Sequence, residues 1–490
     1  MQIKAVKTFL WVLLVSIIFM AIYVYGFVVK ANGDNVEHIH VSWLIWQNKI
    51  PYKDFFQHHH PLVWYVFSPF TALMINNINI FAIFNSISIL TLGLIVLVLA
   101  NILKECNVTK AERLIFASVV MSAYSILYSA DYRPDIFMVL FLFLGIKYLF
   151  KHISTQKLND LVISFLCFFI GFSCSQKIVF NLVIVLGFVI YYLYKNKITK
   201  ENFFISTILP IMLLSTYFVY LQINDSLVIF LKSNYLFNTE IPTIFGNRRI
   251  VFPPFEYYDF YLFVPIGFIS SVYFLIKGKN IEKFLSILYL EELVLRLFYF
   301  SVFLHYNFLL LLLSIVLSLM LFARIKNIEK VYVIVGIIYI CFAIFYSYKN
   351  TYLIEKNRSK TYYEYAFQNT TPCDYVINGY YSVYNLKAKD PGYYSILLGQ
   401  IDILAEKQKI RNRDNLNALV LKYKPKIIFG GIYWDTYWEQ RNKSIIAHVI
   451  DRNILETYYD RTYLKDIYVL KKEYQKQNCM YSNNKWEYVD

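Results

Sequence analysis

Residues Gly33 to Tyr65 read GDNVEHIHVSWLIWQNKIPYKDFFQHHHPLVWY, and this stretch decides how the rest of the chain is interpreted. It follows a long apolar run and gathers acids and histidines in one loop, 30–77: Asp34, Glu37, Asp54, His38, His40, His58, His59 and His60. Ionisable side chains are costly beside a membrane and persist there mainly for function. The loop is therefore the first candidate for an active site.

The composition indicates a membrane protein. The chain has 490 residues, of which 58% are hydrophobic and 19% aromatic, and its mean hydropathy is +0.45. One soluble core does not need so many apolar residues. The net charge is +15, but the lysines punctuate the apolar runs, which is typical of charge that sets membrane topology. We predict an α-helical multi-pass membrane protein with no nucleic-acid partner.

By the hydropathy rule, the apolar runs predict about eleven transmembrane helices. Asn76, Asn77 and Asn79 break the longest such run, so that 61–74 is expected to lie along the outer interface and 80–103 to cross. The predicted spans are 8–29, 80–103, 114–130, 136–150, 161–175, 178–194, 203–224, 260–276, 284–304, 306–323 and 331–348.

The loops between these spans differ in charge. Alternate loops are rich in Lys and Arg and are therefore expected in the cytoplasm, whereas the loops of the other set hold roughly as many acids as bases and are expected outside. Nearly every polar candidate falls in this outer set, which comprises 30–77, 131–135, 175–177, 223–259 and 305–306. With an odd number of spans, the tail also lies outside. The chain thus divides into a transmembrane domain, 1–349, and an extracytoplasmic domain, 350–490.

The tail has a different composition from the rest, with frequent charges and turn signals such as Asp390-Pro391-Gly392. The segment 426–432 predicts a buried strand and 400–409 a short amphipathic helix. We therefore expect a small α/β or α+β domain. Cys373 and Cys479 are the only cysteines in the tail, and an oxidising compartment permits a bridge between them.

Asp34 and Glu37 would share a helix face if 35–45 is helical, with Asp34 near the N-terminus. Carboxylates beside an apolar slot can act as general bases, and histidines can bind phosphate or a divalent metal. The alternatives are that Asp34 is a helix cap and that the histidines only fix the loop by hydrogen bonds. Three adjacent histidines, His58 to His60, cannot all point one way.

Arg133 lies between two acids, Asp131 and Asp135, and Pro134 is expected to start the next helix. The arginine could be a structural clamp between the carboxylates. It could equally hold a phosphate, because a guanidinium binds oxyanions in a bidentate manner. Both interpretations stay open at this stage.

The other cations of the outer loops also allow two interpretations each, a phosphate contact or plain surface charge. Lys177 follows a very short turn and either contacts a phosphate or extends its ammonium to the surface. Arg248 and Arg249 suit the capture of a phosphate or an anionic acceptor, or are simple surface charge. His305 and Tyr306 complete the set of outer-face candidates.

Glu291, Glu292 and Arg296 lie inside an apolar run. Glu292 and Arg296 are four residues apart and can pair on one helix, which lowers the cost of burying them. A functional role and a packing role are both consistent with this position.

The motifs in this order resemble those of the bacterial GT-C glycosyltransferases, in particular the family 39 group related to protein mannosyltransferases and aminoarabinose transferases. The resemblance covers roughly residues 8–348 and is carried by D-x-x-E-H from Asp34, PYKDFFQHHHPLVWYVFSPF from Pro51, RPD from Arg133, QK from Gln176 and HY from His305. It implies a membrane-embedded inverting enzyme with a polyprenyl-phosphate sugar donor. It also implies that Asp34 is the base, with Glu37 or Asp54 as the second acid.

The sequence thus predicts a hexosyl- or pentosyltransferase of the bacterial cytoplasmic membrane, acting on a lipid, glycan or protein acceptor at the outer face. Arg133, Lys177 and Arg248 or Arg249 are expected to stabilise the departing phosphate. A transporter or flippase of lipid-linked sugars is the alternative function. It would place polar residues near mid-membrane on broken helices, whereas most of them here fall at one face.

Overall fold

A computed structural model describes residues 33–123, 126, 131–239, 258–298, 307–325, 358–378, 385–394, 408–412, 414–429, 450–462, 464, 467–482 and 485–488. Several predictions concern residues outside these ranges. They are the spans 8–29 and 331–348, the candidate residues Arg248, Arg249, His305 and Tyr306, and nearly all of the helix expected at 400–409.

Helices make up most of the described chain. In chain order they are α1 (Gly33–Trp46), α2 (Leu62–Met74), α3 (Ile80–Glu105), α4 (Lys110–Ser122), α5 (Pro134–Thr155), α6 (Leu158–Cys174), α7 (Ile178–Tyr194), α8 (Lys200–Ile223), α9 (Leu227–Leu231), α10 (Tyr258–Lys277), α11 (Asn280–Phe298), α12 (Phe308–Phe322), α13 (Arg358–Asn369), α14 (Leu416–Tyr423) and α15 (Arg452–Tyr458). A π-helical turn, Lys232–Leu236, continues α9. The strands are β1 (Val376–Ile377), β2 (Ile427–Phe429), β3 (Tyr459–Arg461), β4 (Ile467–Leu470), β5 (Cys479–Ser482) and β6 (Lys485–Tyr488).

The chain forms two compact units. The first, here the bundle unit, comprises 1–29, 82–216 and 245–356. The second, here the loop-tail unit, comprises 30–81, 217–244 and 357–490. The loop that carries the candidate acids therefore belongs to the same unit as the tail. The division into a transmembrane part, 1–349, and an extracytoplasmic part, 350–490, concerns placement in the membrane and stays a prediction.

The helices agree with the hydropathy pattern. Among the described residues, α3, α5, α8 and α10 are long and apolar enough to cross a membrane, and α2, α6, α7 and α12 are shorter apolar helices. The predicted span 178–194 coincides with α7. The break expected near Asn77 is confirmed, because α2 ends at Met74 and α3 begins at Ile80.

Within the bundle unit, α5 packs closely against α6. A Cβ atom added at Gly145 of α5 would lie 2.4 Å from the ring of Phe168 on α6. The hydroxyl of Ser164 on α6 also donates to the carbonyl of Gly145 at 2.8 Å. Small residues and interhelical hydrogen bonds of this kind let membrane helices approach closely. Gly145 thus fixes where α5 lies against α6.

The tail contains a mixed sheet with the strand order β1-β2-β4-β3. β1 and β2 are parallel, whereas β4 is antiparallel to both of its neighbours. Leu416 and Val420 of α14 and Leu455 of α15 are buried against this sheet. The strand predicted at 426–432 is confirmed as β2 for Ile427–Phe429, whereas 430–432 lie outside the described residues. The expected α/β or α+β tail is confirmed by this arrangement.

A disulfide joins Cys373 to Cys479, and their Cα atoms lie 5.7 Å apart. The bridge predicted as one alternative from the cysteine positions is therefore present. It links the segment before β1 to the two-stranded sheet of β5 and β6. Cys106, Cys167 and Cys174 are free and buried.

Candidate active site

Helix α1 carries the first candidate acids. Asp34 lies in its first turn, where a carboxylate interacts favourably with the helix dipole. Asp34 is half-buried, and Glu37, one turn further on, is 6% exposed. Helical spacing of three places both carboxylates on the same side of α1. The expected helix is confirmed, and its residues from Asn35 to Ile45 are all buried, polar ones included.

Gln57 orients the buried Glu37. Its amide nitrogen donates to Glu37 Oε1 at 2.8 Å, and its amide oxygen accepts the backbone N–H of His58 at 3.1 Å. The second bond fixes which end of the amide faces Glu37, because only the nitrogen can donate. The loop around the histidine run therefore sets the orientation of an acid on α1.

His38 is held in one tautomer when it is neutral. The indole N–H of Trp64, from α2, donates to His38 Nδ1 at 3.3 Å. Because an indole nitrogen only donates, Nδ1 is the acceptor and the proton of neutral His38 lies on Nε2. The rings of His38 and Trp64 are also stacked, with centroids 5.8 Å apart.

The three consecutive histidines do not all point one way, as expected. The rings of His58 and His59 lie 4.1 Å apart, and His59 also faces His38, with ring centroids 5.7 Å apart. His60 packs instead on Phe230 of α9, with centroids 5.1 Å apart. No group of three His, Cys, Asp or Glu residues that could hold a metal occurs within the described ranges. A divalent metal stays a prediction.

Asp54 has a local role in the same loop. It is exposed, and its Oδ2 accepts the backbone N–H of Ile50 at 2.7 Å. Its own N–H donates to the Ile50 carbonyl at 2.9 Å, and Tyr52 between them has φ of 67°. These reciprocal bonds close a tight turn. Asp34 and Glu37 are therefore the better-placed candidates for the base and for the second carboxylate.

In the bundle unit, two distant motifs meet at the start of α5 and α7. Lys177 Nζ lies 2.8 Å from Asp135 Oδ2, and the Ser175 hydroxyl donates to Asp135 Oδ1 at 3.1 Å. Arg133 lies 3.7 Å from the buried Asp131 carboxylate. Asp131, Arg133, Asp135, Ser175 and Lys177 together form what we call the cation cluster.

The cation cluster lies where two helices begin. Pro134 is the first residue of α5, as its position after Arg133 predicted, and Lys177 directly precedes α7. The N-terminus of a helix carries a partial positive charge and unpaired N–H groups, which favour anions. Two such termini lie beside Arg133 and Lys177, and groups of this kind can attract an anion.

A polar network lies one helical turn from Lys177. Asn181, in the first turn of α7, donates from its amide to Glu291 Oε2 at 2.8 Å and to Glu292 Oε1 at 2.9 Å. Arg296 completes the network through Glu292 at 2.7 Å, which confirms the pairing expected from their spacing. The network therefore lies at the end of α7 that also bears the cation cluster.

Some of these partners were not identified from the sequence. Gln57 and Trp64 lie inside the quoted stretch, but an amide and an indole carry no motif of their own. Asn181 was detectable, since it is a polar residue one turn after Lys177 in an otherwise apolar helix. The partners of a buried acid are worth seeking among such isolated amides.

No family model and no curated protein matches the sequence. The fold, in contrast, is similar to solved structures. ArnT from Cupriavidus metallidurans bound to undecaprenyl phosphate matches with a TM-score of 0.53 and 10% identity, covering 90% of this chain and 96% of that chain. ArnT from the same organism in the apo state gives a TM-score of 0.49 and 11% identity, covering 88% and 94%.

At such low identity the first of these similarities shows the fold alone. It extends over nearly the whole length of both chains. This chain therefore has the GT-C fold of that solved structure, with a small sheet region at its C-terminus. The fold expected from the order of the sequence motifs is confirmed.

Proposed function

We propose that this protein is an inverting GT-C glycosyltransferase of the bacterial cytoplasmic membrane. It transfers a hexosyl or pentosyl group from a polyprenyl-phosphate donor to a lipid, glycan or protein acceptor at the outer face. The observation that carries the proposal is the acid pair of α1, Asp34 and Glu37, in a chain with this fold. The similar structure that contains undecaprenyl phosphate supports a lipid-linked donor.

The proposed chemistry uses Asp34 as the general base. The acceptor hydroxyl attacks the anomeric carbon while its proton moves to the Asp34 carboxylate. The bond between the anomeric carbon and the phosphate oxygen breaks, and its electron pair leaves with the polyprenyl phosphate. Attack from the side opposite the leaving group inverts the anomeric configuration. Glu37, oriented by Gln57, assists in orienting the acceptor.

Arg133 and Lys177 are proposed to bind the donor phosphate. Negative charge grows on the phosphate as the glycosidic bond breaks, and fixed positive groups at that point lower the barrier. Arg248 and Arg249 are proposed as further phosphate contacts. The histidines of the loop, His38, His58, His59 and His60, are proposed to line the acceptor side.

The test is transfer by the purified protein in detergent, with polyprenyl-phosphate sugars as donors and product detected by mass spectrometry. Asp34→Asn keeps the shape of the side chain but cannot take the proton, so turnover should fall roughly a hundredfold or more while donor still binds. Asp225→Asn is the matched control, because Asp225 lies exposed in a turn of the same unit. Near-normal transfer by Asp34→Asn would overturn the assignment of the base.

A transporter of lipid-linked sugars is the rival function. The polar network of Asn181, Glu292 and Arg296 is the feature that such a protein would use, but it lies on α7 and α11, which are continuous helices. Transport sites are typically formed where helices are broken. Flux of donor across vesicles without any sugar transfer, and with little effect of Asp34→Asn, would favour the transporter.

A further inference from the structure

His40 lies between the acids of α1 and the tail. It is fully buried, and both of its ring nitrogens face hydrogen-bond acceptors of the tail. Nδ1 lies 2.8 Å from the carbonyl oxygen of Leu386, and Nε2 lies 2.6 Å from Asp390 Oδ2. The contact joins two segments that are 350 positions apart in the sequence.

With Asp390 ionised, this geometry requires a charged imidazole. A backbone carbonyl only accepts hydrogen bonds, and so does an ionised carboxylate, so both nitrogens of His40 carry protons. Burial opposes that charge, but the ion pair with Asp390, the Leu386 carbonyl and the nearby Glu37 carboxylate together raise the pKa of His40. The pair is a charge-assisted bond inside a protein core, which is stronger than a neutral hydrogen bond.

Other residues of the tail hold the Asp390 side chain and backbone in place. The amide of Asn378 donates to its other oxygen, Oδ1, at 3.3 Å. The backbone of the preceding residue, Lys389, makes two hydrogen bonds beside the sheet. Its N–H donates to the Asp374 carbonyl at 2.8 Å, and its carbonyl accepts the N–H of Val376 at 3.0 Å. The carboxylate that meets His40 is therefore carried by the edge of the tail sheet.

Further contacts join the tail to the loop on either side of this pair. The indole of Trp43, one turn after His40 on α1, donates to the Lys387 carbonyl at 2.8 Å. Beyond α1, the N–H of Phe56 donates to the Tyr393 carbonyl at 2.9 Å, and the Tyr393 hydroxyl donates to the Tyr52 carbonyl at 2.9 Å. The tail thus contacts both α1 and the segment that leads to the histidines.

We infer that the tail is a positioning element for α1, and that the buried His40–Asp390 ion pair locks this helix so that Asp34 and Glu37 keep their places. The inference rests on the proposed function for the role of the two acids, but the lock itself does not. His40 and Asp390 are positioning residues, because they act through α1. Turnover depends steeply on the exact placement of reacting groups.

The lock can be tested by hydrogen exchange of the α1 amides in the full-length protein. His40→Phe removes both bonds and leaves the Asp390 carboxylate buried without its cation. We expect the α1 peptide to exchange at least about tenfold faster and turnover to fall at least about tenfold, with donor binding changed by less than about threefold. His152→Phe is the matched control, since His152 is equally buried and bonds one carbonyl in the bundle unit.

Asp390→Asn provides a second, conservative variant that separates charge from shape. With Asn at this position a neutral His40 can donate to Leu386 and accept from the new amide, whose oxygen accepts from Asn378. The wild-type lock is complete below the ordinary histidine pKa of about 6.5 and is lost as the pH rises through the raised pKa of His40. Asp390→Asn should abolish or reverse this dependence on pH, because in the variant the contact is made by the neutral His40 ring.

The outcomes are distinguishable. The exchange is measured between about pH 5 and about pH 10 and corrected for the intrinsic effect of pH on amides. The same pH dependence of α1 exchange in the wild type and in Asp390→Asn, or unchanged α1 exchange in His40→Phe, would overturn the lock. Faster α1 exchange in His40→Phe, in a protein that never transfers sugar, would support the lock and overturn the proposed function instead.

Discussion

Lys177 Nζ lies 2.8 Å from Asp135 Oδ2, which joins two motifs 42 residues apart. Each motif alone allowed several interpretations, because a lone lysine in a short turn can be surface charge. The ion pair shows that the starts of α5 and α7 are adjacent. It also means that any contact of Lys177 with a donor phosphate is made by a lysine already held by a carboxylate.

A double-mutant cycle separates a phosphate contact from a clamp. If Lys177 binds the donor, Lys177→Met should weaken donor binding roughly tenfold or more, in the wild type and in an Asp135→Asn background alike. Arg133→Ala should weaken donor binding as well. The measurement is donor affinity of the purified protein. If Lys177 only pairs with Asp135, Lys177→Met should cause no further loss of donor affinity in the Asp135→Asn background.

The loop and the tail are expected on the same, outer side of the membrane. The contact of His40 with Asp390 requires that both segments lie on one side, and the alternation of basic loops predicts which side that is. Reporter fusions after Asp54 and after Lys360 should both report export. A cytoplasmic signal from either fusion would contradict the topology and the outer active site.

The disulfide is expected to stabilise the tail. Cys373 and Cys479 are 106 positions apart, and a bridge that closes so long a loop typically contributes about 2 to 5 kcal/mol. Replacing both cysteines by serine should lower the free energy of unfolding of the tail by that amount in urea titrations. Cys106→Ser is the control, since Cys106 is free. Full thiol labelling of the tail without reductant would contradict the bridge.

Asn181 is expected to stabilise the helix bundle because its amide donates hydrogen bonds to two carboxylates. Asn181→Leu removes the donor from the half-buried Glu291 and from the buried Glu292, and an unsatisfied buried acceptor costs about 1 to 3 kcal/mol. The free energy of unfolding, measured by titration with denaturing detergent, should fall by at least that much.

Asn101→Leu is the matched control for this change. Asn101 is exposed and donates to the Leu97 carbonyl within its own helix. Substitutions at such positions usually change stability by less than about 0.5 kcal/mol. Equal effects of the two variants would mean that the network contributes nothing specific.

The sequence alone determined the class of the protein and the position of most helices. Hydropathy and helix signals act over neighbouring residues, so α1, α7 and the start of α5 at Pro134 could be predicted from a few adjacent positions. The acids Asp34 and Glu37 were found for the same reason, because their spacing on one helix is local.

Only the tertiary structure decided which residues are partners. A local pattern shows which face of an element is apolar, but not which distant segment packs there. His40 meets Asp390 across 350 positions, and Lys177 meets Asp135 only because α6 returns the chain to the end where α5 began. Pairs of this kind form because buried charges need partners, whichever segment packing brings near.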